Sequence, residues 1–537
     1  MAHVGGVIAS AILGVVSKQI MSAIKGQIKL QWNFASDLQK MRSSLQTVEA
    51  LLEDAERRSI TDLAVRLWLG RLKDAMYEIS HMIDDFEVNS EPDAQKWYPQ
   101  TTVLRLKMAN KMKNMRGQLK GITEDRIPFT FMQETAPRVQ EVCYNRETTA
   151  AVTEARVVGR DKEKLEIMAR LSGSITKVIT ILPIYGIGGI GKTTMAQLVF
   201  KDSEFKEYSR MIENNLQTHL SVKSVLIILD DLWEREPHQL ERLKTMLELG
   251  EGSKVVVVVT TRDEYIAQKI QTVGPYKLAP LTDDICWTII KDKTSFEART
   301  DRALLELVGM DIAKKCAGLA LAARSIGYML DSMEFDEWVS VNNSELWDVL
   351  ASEGYSPHHV HASLLLSYRS MSSYLKLCFG YCAIFPKGHF IAKEDLVHQW
   401  IALGLVEPLR ALSNKYSSDK YINQLLGMSF LEQPKLPWLG DDGSIFFIMH
   451  DLVHDLARSV MADEIDIDVP TCRYAWLTDQ RKLFNSAVIP LAKIRALHLP
   501  KKGCPPLYII KQRSHDTLAG ASAQASPKET KKELKRK

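Results

Sequence analysis

The stretch ILPIYGIGGIGKTTMAQLVF, residues 181–200, limits what this chain can fold into more than any other. An apolar run enters a glycine-dense turn, and the turn enters a helix-forming segment. Gly186, Gly188, Gly189 and Gly191 lead into Lys192, Thr193 and Thr194, filling the pattern G-x-x-x-x-G-K-[ST]. Without Cβ atoms the backbone curls tightly enough for successive N–H groups to converge on an anion. The helix starting near Lys192 adds its own unpaired N–H groups and positive end. A parallel α/β domain with a phosphate loop is therefore expected. Lys192 is placed to bridge β- and γ-phosphates, and Thr193 to put its hydroxyl on Mg²⁺.

Two further strand-like runs belong to the same domain. SVLIILDD (224–231) ends in Asp230 and Asp231, and SKVVVVVTT (253–261) is followed by Arg262. Their near-continuous β-branched character suits a parallel sheet covered on both faces. Carboxylates at the C-terminal end of a buried strand reach the crevice where open α/β sheets bind ligands. Asp230 is expected in the magnesium shell, and Asp231 in water orientation or metal support. Arg262, just past its strand, could touch a γ-phosphate and stabilise or report its charge.

The rest of the chain must form other domains, because 537 residues exceed one hydrophobic core. Residues 1–130 show helical periodicity: Leu45, Val48, Leu51, Leu52 and Ala55 form one stripe, and Leu67, Leu69, Leu72, Met76 and Ile79 another. Helices with one apolar stripe each are expected to bundle, with the basic run 104–122 as an outer face. After residue 280 the chain returns to helices until about Ser459.

Several function classes are disfavoured. The net charge is +3, of which the last ten residues, KETKKELKRK, supply +4, leaving a body near neutrality. A nucleic-acid binder usually needs a basic surface. Seven scattered cysteines fit a reducing compartment, and Cys378 and Cys382 read as core thiols rather than metal ligands. Val7–Val16 is uncharged but only ten residues long, too short for a span of about 20 residues. No lysine or arginine precedes it, which also argues against a signal peptide.

In order along the chain, LLEDAERR, DAMYEISHMIDDF, VVGRDKEK, GIGGIGKTT, LIILDDLW, VVVTTRDE, YKLAPLTDDICWTIIK, KKCAGLALA, CFGYCAIFPKGHFIAKEDLVHQWIALGLV and MHDLVHDLA follow one another from residue 51 to 457. This sequence of motifs resembles the plant intracellular immune receptors of the coiled-coil, NB-ARC, leucine-rich-repeat type. The resemblance implies a multidomain, mainly α architecture with one α/β domain. It comprises an Rx-like helical bundle (1–130), a linker (131–156), a P-loop nucleotide-binding domain (157–280), a small helical domain (281–355) and a winged helix (356–465). Residues 466–511 would lead into a repeat domain, and 512–537 would be a disordered basic tail.

The resemblance also implies ADP, ATP and Mg²⁺ as ligands, ADP holding a closed form and ATP releasing an oligomerising one. His450 would contact the ADP β-phosphate, Gly159 and Arg160 would border the adenine, and the segment around Leu319 would cover base and ribose. Hydrolysis would at most reset the switch slowly. Implied partners are another copy or another immune receptor, met through the bundle, and a pathogen effector or guarded host protein. The implied location is cytoplasmic, with plasma-membrane contact on activation and nuclear entry left open. Sequence-specific nucleic-acid binding is not expected.

Four departures qualify this. Ser80 and His81 replace an acidic pair in the bundle, and Ala320 replaces the proline of GLPLA. Only 37 residues separate Lys192 from Asp230, and no β-rich run lies among them. The family's second strand is thus expected to be missing, leaving SVLIILDD as an unprotected sheet edge. Finally, no repeat can be counted near the C-terminus, although a solenoid needs about three. A truncated, variant or decoy-like member is expected, and a non-switching interaction module stays open beside the switch.

Overall fold

The structure is a computed structural model. It describes residues 8–25, 34–59, 62–88, 99–124, 157–173, 179–202, 209–211, 224–247, 254–347, 358–407, 414–434, 445–465, 472–477, 493–501, 504–511 and 518–520. The whole of the linker and most of the basic tail lie outside these residues.

Four helices open the chain: α1 (Ala9–Lys25), α2 (Phe34–Arg58), α3 (Leu63–Val88) and α4 (Pro99–Glu124). They pack as a bundle because each buries one stripe. Leu45, Val48, Leu52 and Ala55 of α2 and Leu69, Leu72, Met76 and Ile79 of α3 are all buried in the core. Leu67 departs from expectation: it is 60% exposed, and Val65 and Trp68 take the inward positions instead. In α4, Met112, Met115 and Leu119 turn inward, while Lys111, Lys113 and Lys120 face solvent. The apolar helix α1 lies partly against the distant helix α14 (Ser373–Tyr381), close enough that a Cβ on Gly14 would meet Ser373 Oγ at 2.3 Å. Among the described residues no helix is long and apolar enough to cross a membrane.

Helix α5 (Asp161–Ser172) introduces the α/β domain. Its strands are β1 (Ile179–Tyr185), β2 (Ser209–Met211), β3 (Ser224–Leu229), β4 (Lys254–Thr261) and β5 (Tyr276–Lys277), in the order β2-β3-β4-β1-β5. Every pairing is parallel. The edge strand expected to be missing is therefore present in shortened form: Ser209, Arg210 and Met211 pair with Val225, Leu226 and Ile227. Three backbone positions cover half of β3, so that strand is not a bare edge. Helices α6 (Lys192–Phe200), α7 (Pro237–Leu247) and α8 (Glu264–Ile270) complete the layers.

A helical unit follows: α9 (Asp283–Lys293), α10 (Arg302–Lys315), α11 (Ala320–Leu330) and α12 (Phe335–Asn342). Next come α13 (His358–Arg369), α14, β6 (Ile391–Ala392), α15 (Lys393–Ala402), α16 (Asn414–Gly427), β7 (Phe446–Phe447) and α17 (Asp451–Val460). The β6–β7 pair is antiparallel and forms the wing beside three helices, a winged-helix arrangement. A short α18 (Ala462–Ile465) leads to β8 (Tyr474–Trp476), β9 (Ala496–Lys501), β10 (Cys504–Lys511) and β11 (Leu518–Gly520). β8 and β9 are parallel and the rest antiparallel; of residues 512–537 only β11 is among the described residues.

Candidate nucleotide site

The phosphate loop hangs between β1 and α6, and its conformation explains its glycines. Gly186, Gly189 and Gly191 adopt φ of 155°, 75° and 105°, a region that L side chains avoid. Gly188 is constrained by packing instead, since a Cβ there would sit 3.0 Å from Leu452 Cδ1. At Gly191 a Cβ would meet nothing within 4 Å, and no side chain caps the first turn of α6. Uncapped N–H groups around an open cradle fit an anion. Lys192 Nζ donates to the carbonyls of Gly186 and Ile187 at 2.8 and 3.0 Å, so it already lies across the loop.

At the sheet's C-terminal rim, Thr193 Oγ1 donates to Asp230 Oδ1 at 3.0 Å, and Thr260 Oγ1 donates to the same oxygen. This places two hard oxygen donors side by side beside the cradle, the donor type Mg²⁺ prefers. Asp230 is pushed up to about 6, chiefly by burial, with the Thr260 and Thr193 hydrogen bonds opposing. Asp231 takes φ of 57°, and Thr260 Oγ1 accepts its N–H at 2.8 Å. A non-glycine residue in that conformation marks local strain at the rim.

Arg262 leaves the end of β4 and reaches two carboxylates. Its Nη2 donates to Asp451 Oδ2 at 2.9 Å, and its Nε lies 3.7 Å from Asp231 Oδ1. Asp451 begins α17, and the preceding His450 caps that helix, its Nδ1 accepting the N–H of Leu452. His450 is held down at about 3 by burial first and then by Arg262 and Lys192. A neutral ring with Nδ1 as acceptor carries its proton on Nε2, which makes it a donor. Lys192 is lowered to about 8 by burial and by Arg262, with Asp231, Asp230 and Asp451 pulling the other way.

Lys192, Thr193, Asp230, Asp231, Arg262 and His450 thus come together, with Thr194 in the first turn of α6. Gly159, Arg160 and Leu319 are placed differently. Gly159 has φ of 74° and faces Ile285 of α9. The Arg160 guanidinium is buried and donates to the carbonyls of Ile190 and Ala279 and to Glu163, bracing the phosphate loop from behind. The Leu319 side chain is 1% exposed. In the first turn of α11, which Leu319 precedes, the Leu321 N–H donates to Gly189 O at 3.3 Å. Ala320 occupies the first position of α11, where proline would also fit. Thr260, Asp451 and Leu452 were not singled out by the sequence. The hydroxyl at the end of a β-branched run, and the two residues following His450, were the available signals.

Three family profiles match: the Rx N-terminal domain over residues 12–113, the NB-ARC domain over 202–300, and the disease resistance protein winged helix domain over 384–457. Two Solanum bulbocastanum proteins named for disease resistance match across most of the chain. RGA1 is 30% identical over 496 residues, 84% of this chain and 49% of its own length. RGA2 is 29% identical over 497 residues, 84% of this chain and 50% of its own.

The chain belongs to the coiled-coil NB-ARC plant disease-resistance family.

Disease resistance protein RPM1 of Arabidopsis thaliana is more distant, 23% identical over 532 residues, 86% of this chain and 56% of its own. The chain spans about half the length of these curated relatives. A signal-transduction ATPase of the STAND class from Pyrococcus horikoshii superposes with a TM-score of 0.34 at 15% identity, over 57% of this chain and 43% of its own, too low to support an argument. The NB-ARC match starts after α6, so the phosphate loop rests on its own residues and geometry. Together they support nucleotide binding in this disease-resistance protein.

Proposed function

We propose that this NB-ARC protein is an ADP/ATP-binding switch in plant immunity, closed by contact between its winged helix and its phosphate loop. The observation that carries this is the Arg262–Asp451 pair, which joins the end of β4 to the start of α17 beside Lys192. Lys192 and the uncapped amides of α6 would hold the phosphates, while Thr193 and Asp230 would hold Mg²⁺. Bound nucleotide supplies the phosphate charge that these groups recognise, and Mg²⁺ offsets part of it. His450, as a neutral Nε2–H donor, suits a β-phosphate oxygen.

Arg262 gives the switch its direction. A guanidinium engaged with Asp451 is compatible with a diphosphate, whereas a third phosphate would compete with Asp451 for it. Loss of that pair frees the first turn of α17 from the loop. A ligand shifts such an equilibrium only by its differential affinity for the two states. Asp231, held beside Arg262, is suited to orienting water for slow hydrolysis that resets the switch. Signalling would run through the bundle, by self-association or pairing with another receptor, in response to an effector or guarded host protein in the cytoplasm. The shortened β2 favours one alternative, a non-switching interaction module in which nucleotide supports folding alone.

The test is the identity and stoichiometry of nucleotide retained by purified protein, read by liquid chromatography after denaturation, with Lys192→Ala as control. Near one ADP per chain, lost in the control, is expected. Folded, monodisperse protein without nucleotide would overturn the switch and leave the interaction module.

A further inference from the structure

Trp233 is the most open tryptophan among the described residues. It is 40% exposed, whereas Trp68, Trp287, Trp338, Trp347 and Trp400 are buried and Trp476 is half-buried. It closes the run LIILDDLW, whose strand β3 ends at Leu229. The chain from Asp230 to Glu236 is neither helix nor strand, yet it is stitched to the end of β4. The Asp231 N–H donates to Thr260 Oγ1 and the Leu232 N–H to Thr260 O, both at 2.8 Å, and Thr261 Oγ1 donates to Leu232 O at 2.7 Å. Beyond the tryptophan, Arg235 Nε donates to Asp263 Oδ2 at 2.6 Å. Trp233 is thus held from both sides, and its ring meets a cation: Arg262 Cζ lies 5.1 Å from the ring centre. An indole left partly in water forfeits some of the free energy of burial, and a guanidinium over its face returns a share of it.

Arg262 stands among several anion sites. Its Nη2 is on Asp451, its Nε lies 3.7 Å from Asp231 Oδ1, and its Nη1 is 3.4 Å from where a Cβ on Gly188 would stand. The guanidinium therefore borders the phosphate loop. A third carboxylate against it would occupy the N–H groups that a phosphate needs. An aromatic face attracts the cation through its quadrupole without being a strong acceptor, so those N–H groups stay available. Cζ lies over the ring while Nη2 is on Asp451, so the ring's attraction is added to this orientation. Movement of the guanidinium away from the ring forfeits it.

We infer that Trp233 is a positioning residue for Arg262: its ring weights the guanidinium toward Asp451 and so sets how strongly the site prefers a diphosphate over a triphosphate. The inference rests on the switch reading above and names a residue that sets its bias. Lys192, Thr193 and Asp230 face what the two nucleotides have in common, whereas Arg262 is the group placed to tell them apart. A residue that acts through Arg262 should therefore move discrimination more than overall affinity.

The experiment measures the affinity of the full chain for ADP and for a non-hydrolysable ATP analogue by calorimetry at constant Mg²⁺, together with hydrogen exchange across α17. Trp233→Leu keeps an apolar side chain and removes the aromatic face, and Trp233→Phe keeps a weaker face. In Trp233→Leu the preference for ADP should fall by about two- to fivefold, the worth of such a contact at an exposed site. Exchange across residues 451–460 should quicken. Trp233→Phe should fall between Trp233→Leu and wild type. In an Arg262→Met background the leucine substitution should leave the ratio unmoved, because the pair is already broken. Should Trp233→Leu fail to fold, Trp233→Phe with and without Arg262→Met decides. An unchanged ratio would overturn the inference, and so would equal weakening of both nucleotides, which would mean that the ring merely supports its loop. A wild-type chain that binds neither nucleotide refutes the switch reading instead. The positioning is then decided by exchange alone: faster exchange across α17 in Trp233→Leu supports it, and unchanged exchange overturns it.

Discussion

Glu56 offers a prediction with a definite sign. This carboxyl sits in α2, 7% exposed, where α1, α2 and the winged-helix unit meet. It accepts the Ser10 N–H at 2.6 Å and the Ser10 hydroxyl at 3.1 Å, so it fastens the first turn of α1. Burial raises it from 4.5 to about 7, against the opposing pull of the Ser10 bonds, Lys376 and Arg369. Between those two values the folded protein binds more protons at Glu56 than the unfolded one. Seating of α1 should therefore weaken as pH rises through that window and level off above about 7. The full shift corresponds to about 3 kcal/mol, at about 1.36 kcal/mol per unit. Because a multidomain chain is not two-state, the assay should be local: native-state hydrogen exchange of the amides in the first turns of α1, corrected for intrinsic rates. Protection in the wild type should fall from pH 5 to 7. In Glu56→Gln, whose carbonyl still accepts from Ser10, it should be flat and exceed the wild type at pH 8. Wild-type protection that rises with pH would refute the reasoning, because it would mean that the Ser10 bonds and the two cations outweigh desolvation.

Other outcomes follow from the nucleotide site. Asp230→Asn should abolish the Mg²⁺ dependence of nucleotide affinity in calorimetric titrations, leaving the metal-free affinity nearly unchanged. In the wild type that dependence should fade as pH drops below about 6, since Asp230 is protonated there and the proton competes with the metal. Asp451→Asn keeps the shape of the pair but removes its charge. It should cost on the order of 1 kcal/mol and appear as faster exchange across residues 451–460. Gly191→Ala has room for its methyl but not the backbone freedom, with φ at 105°. Strain of about 1–2 kcal/mol should weaken nucleotide binding roughly tenfold, without the aggregation expected of a core defect.

What could be read from the sequence depended on how much signal each element leaves. β1, β3 and β4 were legible because a sheet buried on both faces demands unbroken apolar runs such as Val255–Val259. β2 was not, because Ser-Arg-Met has no such run and is a strand only through its pairing with Val225–Ile227. The same rule separates site residues. Lys192, Thr193, Asp230 and Arg262 sit at positions fixed by the loop and by strand ends, so spacing alone assigns them to one crevice. Asp451 and Arg160 required tertiary structure, since one reaches the crevice from 189 residues away and the other turns behind the loop to Ile190. Departures from a family pattern likewise need coordinates to interpret. An acidic pair is replaced at Ser80 and His81, yet Asp74 lies nearly two turns earlier on the same helix and takes up Arg473 and Lys493. A helix face presents residues every three or four positions, so a docking charge can move along it and still meet a flexible cation. Side-chain identity at one position is therefore a poor guide to whether the interface survives; the sum of charges along the face is a better one.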